Sequence, residues 1–445
     1  MKLARKLNAF DATLIVTGGI IGVGIFQNPA VVAQRLHTAP LILAAWIFGG
    51  LVALIGGFIF AELAWRRPAS GGLYGYMRDG FHPIVAFMYG WTALCVSQSG
   101  GMAAAAVTFA AYIVAVRHTH LAPWIPATAA IVVLSAINCF GVREGGNAQN
   151  VLMIVKLGII VALVLGGIFV SPIGHDTVWT AAVIPAVGPL AIVSMFGAAL
   201  VPVLYAYDGW QTAPFIDGEL KDARRTLPFG LIAGVAIVIV LYVAVTIVCL
   251  RVLGAANLAA TATPASDAMR AAFGPLGERI IAIGVALSAL GFISNQVLTS
   301  PRIYYAMAND GVFLRSLSWV HPKTRAPVVA IIVQAILAIV IAVSGRYDQI
   351  LNYVTAMDFI FLGLAGIALF VFIRRGAAQA QSGVRVPLHP WSTGFFVLVS
   401  AAVVINTYIT FPRDTLIGLG ILLSGIPIYL IWRRFGPRSQ LVAAN

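Results

Sequence analysis

Charged residues are scarce in this chain. Only 10% of its 445 residues are Asp, Glu, Lys or Arg, whereas 60% are hydrophobic. Soluble domains carry about 25% charged residues, so this chain could not cover its surface in water. A protein embedded in a bilayer needs no such cover, because much of its surface faces lipid. The low charge therefore excludes an ordinary soluble domain and predicts an integral membrane protein.

Cysteine is also rare, and the usual catalytic patterns are missing. Cys95, Cys139 and Cys249 all lie in apolar stretches, so no disulfide framework is expected. The histidines do not show the spacing of metal ligands. We find no hydrolase triad and no phosphate-binding loop. These patterns argue against an enzyme, and they predict no catalytic residues, no metal site and no cofactor.

Long apolar windows recur along the whole chain. A helix that crosses a bilayer needs about 20 such residues, and the gaps between the windows are short. We therefore predict one membrane domain over residues 1–445. Its twelve transmembrane helices, numbered spans one to twelve, fall near residues 11–35, 40–65, 82–116, 124–141, 148–170, 188–214, 228–253, 279–308, 328–344, 349–373, 391–411 and 414–434.

The distribution of basic residues predicts the orientation. Twelve spans place both termini on one side, and 20 of the 28 Lys and Arg residues then lie on that side. The positive-inside rule makes that side the cytoplasm. The net charge of +13 thus reflects topology and contact with acidic lipid headgroups, so the lipid bilayer is a partner and nucleic acid is not. The compact loops favour a bacterial inner membrane.

Two spans contain glycine where a helix is expected to break. Residues 17–26 of span one hold four glycines, and residues 205–210 of span six contain an Asp-Gly pair between two prolines. Glycine costs a helix roughly 1 kcal/mol relative to alanine. Close packing through small residues is the alternative explanation for the first stretch. Broken helices at matching positions of two halves indicate an inverted repeat with a binding site at mid-membrane.

The predicted fold is therefore all-α, with a first five-helix repeat over residues 11–170 and a second, inverted repeat over residues 188–373. Two extra helices follow over residues 391–434. The chain between these ranges is too short for a further domain.

An unwound helix offers free carbonyls on one side of the break and free N–H groups on the other. A zwitterion fits this pair, with its carboxylate on the N–H groups and its ammonium on the carbonyls. Side chains of spans three, six, eight and ten would form the rest of the pocket, where glycines such as Gly100 and Gly101 leave room. The predicted substrate-binding residues are Ile20, Ile21, Gly22, Val23, Gly24, Tyr205, Ala206, Tyr207, Asp208 and Gly209.

These motifs together resemble the amino acid–polyamine–organocation superfamily, and most of all its L-type amino acid transporter-like branch. The resemblance implies a leucine-transporter-type fold, alternating access and an amino acid substrate. Some relatives attach a heavy chain through a cysteine after span three. The loop 117–123 has no cysteine, so no covalent heavy-chain partner is expected. The resemblance rests on residues 19–26, 61–76, 205–228, 299–311 and 321–327.

Lys156 lies alone within span five. A lysine inside the membrane is costly and suggests a function, although its side chain could also extend to the inner surface. In several relatives a lysine here is thought to replace the sodium ion between spans one and eight. By this resemblance Lys156 would bond the Gly19–Gly22 backbone and Ser294 or Asn295. Transport would then not need sodium, and the buried amine would either carry a coupled proton or take part in exchange without one.

Four other polar or aromatic residues each have both functional and structural explanations. Asp208 would pair with a substrate amine, select a cationic side chain or relay a proton, or else cap the second half-helix. Asp358 in span ten is expected to bond a neighbouring helix in preference to lining a vestibule. Trp210 and Glu219 are candidate gating residues. A packing role for Trp210 and an ordinary solvated loop for Glu219 are the alternatives.

The predicted function is secondary active transport of a small or neutral L-amino acid, by sodium-independent exchange or proton-coupled uptake. A cationic amino acid or a polyamine is the second choice, because of Asp208. A membrane enzyme would need paired titratable groups at a membrane surface, and a channel would need a polar stripe along several spans. The sequence indicates neither.

Overall fold

A computed structural model describes residues 9–67, 72–117, 121–140, 142–169, 188–211, 223–324, 326–376 and 384–435. This part of the chain is helical and contains no strand. The helices are α1 (Ala9–Ile20), α2 (Gly24–Leu36), α3 (Ala39–Arg66), α4 (Leu73–Gly80), α5 (Pro83–Thr92), α6 (Gln98–Arg117), α7 (Trp124–Phe140), α8 (Val142–Ile168), α9 (Pro189–Tyr207), α10 (Ala223–Ala260), α11 (Pro264–Thr299), α12 (Pro301–Asn309), α13 (Val328–Ser344), α14 (Tyr347–Arg374), α15 (Trp391–Thr410) and α16 (Pro412–Phe435).

Every predicted window contains an apolar helix. Seven helical segments of the described chain are long and apolar enough to cross a bilayer, and the pair α1 and α2 makes an eighth if it counts as one span. Apolar helices of 10–17 residues occupy the other four windows. Spans eleven and twelve are the least enclosed, with 28% of their apolar windows buried against 83% in span three. This low burial places both at the periphery of the described bundle.

Span one is broken where its glycines predict. α1 ends at Ile20 and α2 begins at Gly24, and the two halves are bent by 42°. A Cβ atom at Gly24 would lie 2.9 Å from the Cα atom of Ala206. Spans one and six therefore approach so closely here that only glycine fits, and the two breaks lie side by side.

Span six also leaves its helix where expected. α9 ends at Tyr207, Asp208 is extended (φ −70°, ψ 160°), and Gly209 has φ 117°. A side chain at Gly209 would be strained by this φ and would collide with the carbonyl oxygen of Gly19. The predicted second half-helix and Glu219 lie outside the described residues.

Two side chains of α2 hold α9 beside it. Pro202 has no N–H, so the Ala198 carbonyl loses its helical partner, and Arg35 donates a hydrogen bond to it instead. Asn28 donates to the Pro202 carbonyl at 2.6 Å. The Tyr347 hydroxyl from α14 donates to Asn28 Oδ1 at 2.8 Å. These contacts join the second half of span one to the described half of span six.

Candidate functional site

A cavity lies between the two breaks, and we call it the central cavity. Its empty space, counted together with its opening to solvent, is about 540 Å³. Spans one, three, six, eight and ten contribute to its wall. The lining residues are Gly19, Ile20, Gly22, Val23, Gly24, Ser97, Gln98, Gly101, Tyr205, Ala206, Asp208, Gly209, Gln211, Phe292, Asn295, Gln296, Val354 and Asp358.

Eight of the ten predicted substrate-binding residues line this cavity, and Ile21 and Tyr207 do not. α9 remains helical through Tyr207. Residues two apart in a helix point about 200° apart, so the Tyr207 side chain faces away from that of Tyr205. Its ring packs against Trp46 and Tyr242, with centroid distances of 5.8 and 5.1 Å. The structure therefore assigns Tyr207 to packing behind the break.

Two carboxyl groups meet in the central cavity. Asp208 follows the end of α9, Asp358 projects from α14, and the two lie within hydrogen-bonding reach of each other. Asp358 also bonds Ser97, as expected for a contact with a neighbouring helix, but it lines the cavity as well. The Oδ1 atom of Asp208 has no hydrogen-bond partner. A pair of acidic groups in this position is suited to bind one positive charge.

Gln211 supports the turn after α9, a role that the sequence did not suggest. Its Oε1 accepts a hydrogen bond from the Gly209 N–H at 2.9 Å, and its side chain lies beside the Asp208 carboxyl. Gln211 is buried and lines the cavity. It thereby holds the Asp208 carboxyl in place. The alternative role of Asp208 was to cap the second half-helix of span six. Most of that half-helix lies outside the described residues.

Span three contributes polar groups through a short π-helix, Ala93–Ser97. The extra residue in this wider turn is accommodated by Ser99, which donates to the Leu94 carbonyl. Just after it, Gln98 accepts a hydrogen bond from Ser300 of span eight at 2.8 Å. Such π-turns are frequent at functional sites. In the sequence, residues 97–101 are all polar or small, and this run could have indicated the polar wall. The sequence analysis uses only its glycines, Gly100 and Gly101.

Lys156 lies behind the break in span one, outside the central cavity. Its side chain is fully buried, so it does not extend to the inner surface. Its Nζ atom donates to the Gly18 carbonyl at 3.1 Å. This carbonyl is free because its helical partner would be the N–H of Gly22, which has left the helix. The predicted Gly19–Gly22 contact is thus wrong by one residue.

The hydrogen bond expected between Lys156 and Ser294 or Asn295 is also absent from the hydrogen bonds described for Lys156. Ser294 is fully buried, and its Oγ atom has no hydrogen-bond partner. Asn295 instead faces the central cavity. Span eight reaches Lys156 through Gly291, where a Cβ atom would lie 3.4 Å from the lysine Cε. The lysine therefore contacts spans one and eight. Among the described residues, its side-chain hydrogen bond is made to span one.

Trp210 packs away from the central cavity. Its ring meets Phe60 edge-to-face with a centroid distance of 4.8 Å, and it lies over Gly56, where a Cβ atom would come within 2.7 Å of it. The structure favours the packing role of Trp210 over the gating role. Glu219, the other gating candidate, lies outside the described residues.

The segments after spans two and eight are joined by ionic contacts. Asp310 accepts hydrogen bonds from Arg78 at 2.8 Å and from Tyr74 at 2.9 Å. Burial lowers the pKa of Arg78, but its hydrogen bonds and charge interactions with Asp79 and Asp310 raise that pKa further, to a net value above the ordinary one. The stability that this raised pKa contributes is fully present at any pH below the pKa of Arg78 in the unfolded chain. It therefore does not change with pH near neutrality.

The family model for amino acid permeases matches residues 7–427 of the chain. Among relatives, the serine/threonine exchanger SteT of Bacillus subtilis (strain 168) is 30% identical over 439 residues, which cover 96% of each chain. The b(0,+)-type amino acid transporter 1 of Homo sapiens is 27% identical over 97% of this chain and 88% of its own. The cystine/glutamate transporter of Homo sapiens is 27% identical over 97% of this chain and 86% of its own.

Proposed function

Because the chain belongs to the amino acid permease family and is an amino acid transporter of the membrane, we propose that it is a sodium-independent exchanger that works by alternating access. The observation that carries this proposal is the central cavity between the two broken spans, with the buried amine of Lys156 behind it. The lysine ammonium takes the structural position that a sodium ion would otherwise hold.

The backbone binds the common part of the amino acid. The substrate carboxylate accepts hydrogen bonds from the N–H groups of Val23 and Gly24 at the start of α2, where the helix dipole favours negative charge. The substrate ammonium lies against the carbonyls of Ile20 and Tyr205. Each of these carbonyls has one donor already, Tyr242 and the Asp208 N–H, and has a second lone pair for the ligand.

The preferred substrate is a small or neutral L-amino acid. The name of the relative SteT, a serine/threonine exchanger, supports this choice. A cationic amino acid or a polyamine is the second candidate, and a specific observation favours it. Asp208 and Asp358 face each other in the cavity wall, and none of their described partners is cationic.

The arrangement in the membrane is part of the same proposal. It comprises twelve spans, five plus five of them as inverted repeats, with both termini in the cytoplasm. The seven long apolar segments, the bent pair and the four shorter apolar helices support the count. The bacterial relative supports a plasma membrane location. No covalent heavy-chain partner is expected, for want of a cysteine in the loop 117–123.

Exchange in proteoliposomes tests the function. Vesicles with the purified full-length chain are loaded with unlabelled serine, and uptake of labelled serine is followed in sodium and in choline buffers. We expect saturable uptake that requires internal amino acid and is equal in both buffers. Uptake into empty vesicles driven by an acidic exterior would instead establish proton coupling. An absence of flux for all common amino acids would disprove the proposal.

A further inference from the structure

Asp208 and Asp358 are the only acidic side chains among the described residues that line the central cavity, and no described lysine, arginine or histidine lines it with them. Asp208 follows the end of α9 in span six, and Asp358 belongs to α14 in span ten. Their carboxyl groups lie within hydrogen-bonding reach of each other. The described cavity wall therefore has no cation to balance two negative charges.

The contact between the two carboxyl groups indicates a proton. Two carboxylates cannot bond each other, because both can only accept, whereas a protonated carboxyl can donate. Like charges this close in a site of low dielectric also favour a state in which one of the two groups keeps its proton. The Oδ1 atom of Asp208 is buried and has no described donor. A proton held between the carboxyl groups provides the donor that this pair lacks.

The groups that face the pair from the neighbouring spans are neutral. Span three presents Tyr89 and Ser97, and span six presents Tyr205. Phenol and hydroxyl groups carry no charge at about pH 7. Span one presents backbone and apolar groups to the cavity, and span eight presents amides and an aromatic ring. Lys156 bonds the Gly18 carbonyl outside the cavity. The charge of the described cavity wall near neutral pH therefore depends on the aspartate pair.

We propose that Asp208 and Asp358 hold one proton between them, and that a cationic amino acid displaces this proton when its side chain binds. With the proton, the pair has a single negative charge. With a side-chain ammonium in place of the proton, two negative charges and one positive charge are present, so the net charge of the site is the same. This inference rests on the proposed function, because it concerns the second substrate class of the same site.

The shared proton makes the exchange of a cationic for a neutral amino acid electroneutral. External lysine binds to the outward-facing site, and the displaced proton leaves to the outside. Lysine is released inside, and the pair takes up a proton from that side before internal serine binds. The serine and the proton then move outward together. Each cycle carries one lysine inward, and one serine and one proton outward.

Exchange of lysine for serine tests this stoichiometry. Vesicles with the purified full-length chain are loaded with serine and a pH indicator, and labelled lysine is added outside. We expect one proton to leave for each lysine that enters, which raises the internal pH. The rate of lysine entry should not respond to an imposed membrane potential. Exchange of serine for serine is the control and should move no protons.

Inhibition of serine exchange by lysine provides a second measurement, which also covers a ligand that binds well but is carried slowly. Because lysine displaces a proton, the concentration for half-inhibition should fall about tenfold for each pH unit between roughly pH 6 and pH 8. Lysine itself keeps its charge over this range. Inhibition by alanine controls for titration elsewhere, including that of Lys156, and should show no such change.

Two variants assign the effect to the pair. In Asp358→Asn the amide offers Asp208 an N–H that cannot leave as a proton. Half-inhibition by lysine, although weaker in this variant, should therefore no longer change with pH. Asp414→Asn is the matched control, since Asp414 bonds Asn352 of span ten and does not line the cavity. It should keep the wild-type pH dependence.

Three results would overturn the inference. The first is lysine entry that carries net positive charge and releases no proton. The second is half-inhibition by lysine that is independent of pH in the wild type, or equally dependent on pH in Asp358→Asn. The third is a lack of both transport of lysine and inhibition by it while serine exchange proceeds. Absence of serine exchange by the wild type would count against the proposed function instead.

Discussion

Lys156 is the residue at which a charge change should affect transport most. We expect Lys156→Met to reduce the exchange rate by about tenfold or more, because a hydrogen bond to a charged group contributes about 1.5–3 kcal/mol and the Gly18 carbonyl would lose its donor. The measurement is initial serine exchange, with Lys323→Met, at an exposed lysine, as the control.

The same vesicles test the sodium surrogate. The wild type should exchange equally in sodium and in choline, because the ammonium is part of the protein. If the wild type strictly required sodium, or if Lys156→Met transported normally, the role assigned to this lysine would be wrong.

Asp208 and Asp358 are the residues that we expect to decide whether a cationic substrate is accepted. We expect Asp208→Asn and Asp358→Asn each to weaken the inhibition of serine exchange by lysine about tenfold or more, since each removes one carboxyl group from a pair that would bind an ammonium. Inhibition by alanine should change little. The control is Asp414→Asn, since Asp414 bonds Asn352 and does not line the cavity.

If inhibition by lysine is the same in the wild type and both cavity variants, the carboxyl pair does not select substrate charge. The role of Asp208 would then be limited to its contacts with Gln211 and Asp358. That result would leave the neutral amino acid as the single substrate class under consideration.

At the level of the helices, the contact between α2 and α9 depends strongly on Asn28. We expect Asn28→Ala to lower the free energy of unfolding by about 1–3 kcal/mol, because the buried Tyr347 hydroxyl loses its acceptor and the Pro202 carbonyl loses its donor from α2. Thermal unfolding of the detergent-solubilised protein measures the effect. Gln34→Ala is the control, because its hydrogen bond to Ala259 is exposed. Equal losses in the two variants would contradict this prediction.

The breaks in spans one and six were predictable because glycine and proline change the backbone directly. The π-turn of span three was not, since an extra residue in a helix requires no special composition. Which carbonyl Lys156 meets depends on the residue at which α1 ends, and an error of one position moves the contact from Gly19 to Gly18. The side of span six that Tyr207 faces likewise depends on how far α9 stays helical.

Contacts between distant spans were the least predictable part of the site. Asp358 was recognised as unusual, but its approach to Asp208 depends on how spans six and ten are placed in the bundle. The hydroxyl of Tyr242 gave no sequence signal, because tyrosine within an apolar helix is ordinary. The apolar pattern locates each helix along the chain, but it carries little information on which faces meet.

For the molecule as a whole, the proposed orientation predicts which loops an external reagent reaches. In a cysteine-free background, we expect an impermeant maleimide to label Arg346→Cys in intact cells, because Arg346 is 84% exposed in a predicted outer segment. Lys323→Cys, in a predicted inner segment, should react only after the membrane is opened. The opposite pattern would invert the topology, and labelling of both before opening would contradict the single span, span nine, that lies between them.

The covalent attachment of the Lys156 ammonium has an energetic consequence for the cell. A bound ion enters from one side and leaves on the other, and its electrochemical gradient does work on each cycle. An ammonium that belongs to the chain returns to its starting place, so for a neutral substrate pair it moves no net charge and extracts no such work. The concentration ratios of the exchanged amino acids alone would then set the direction of flux, and the protein would rebalance the composition of a pool that other carriers fill.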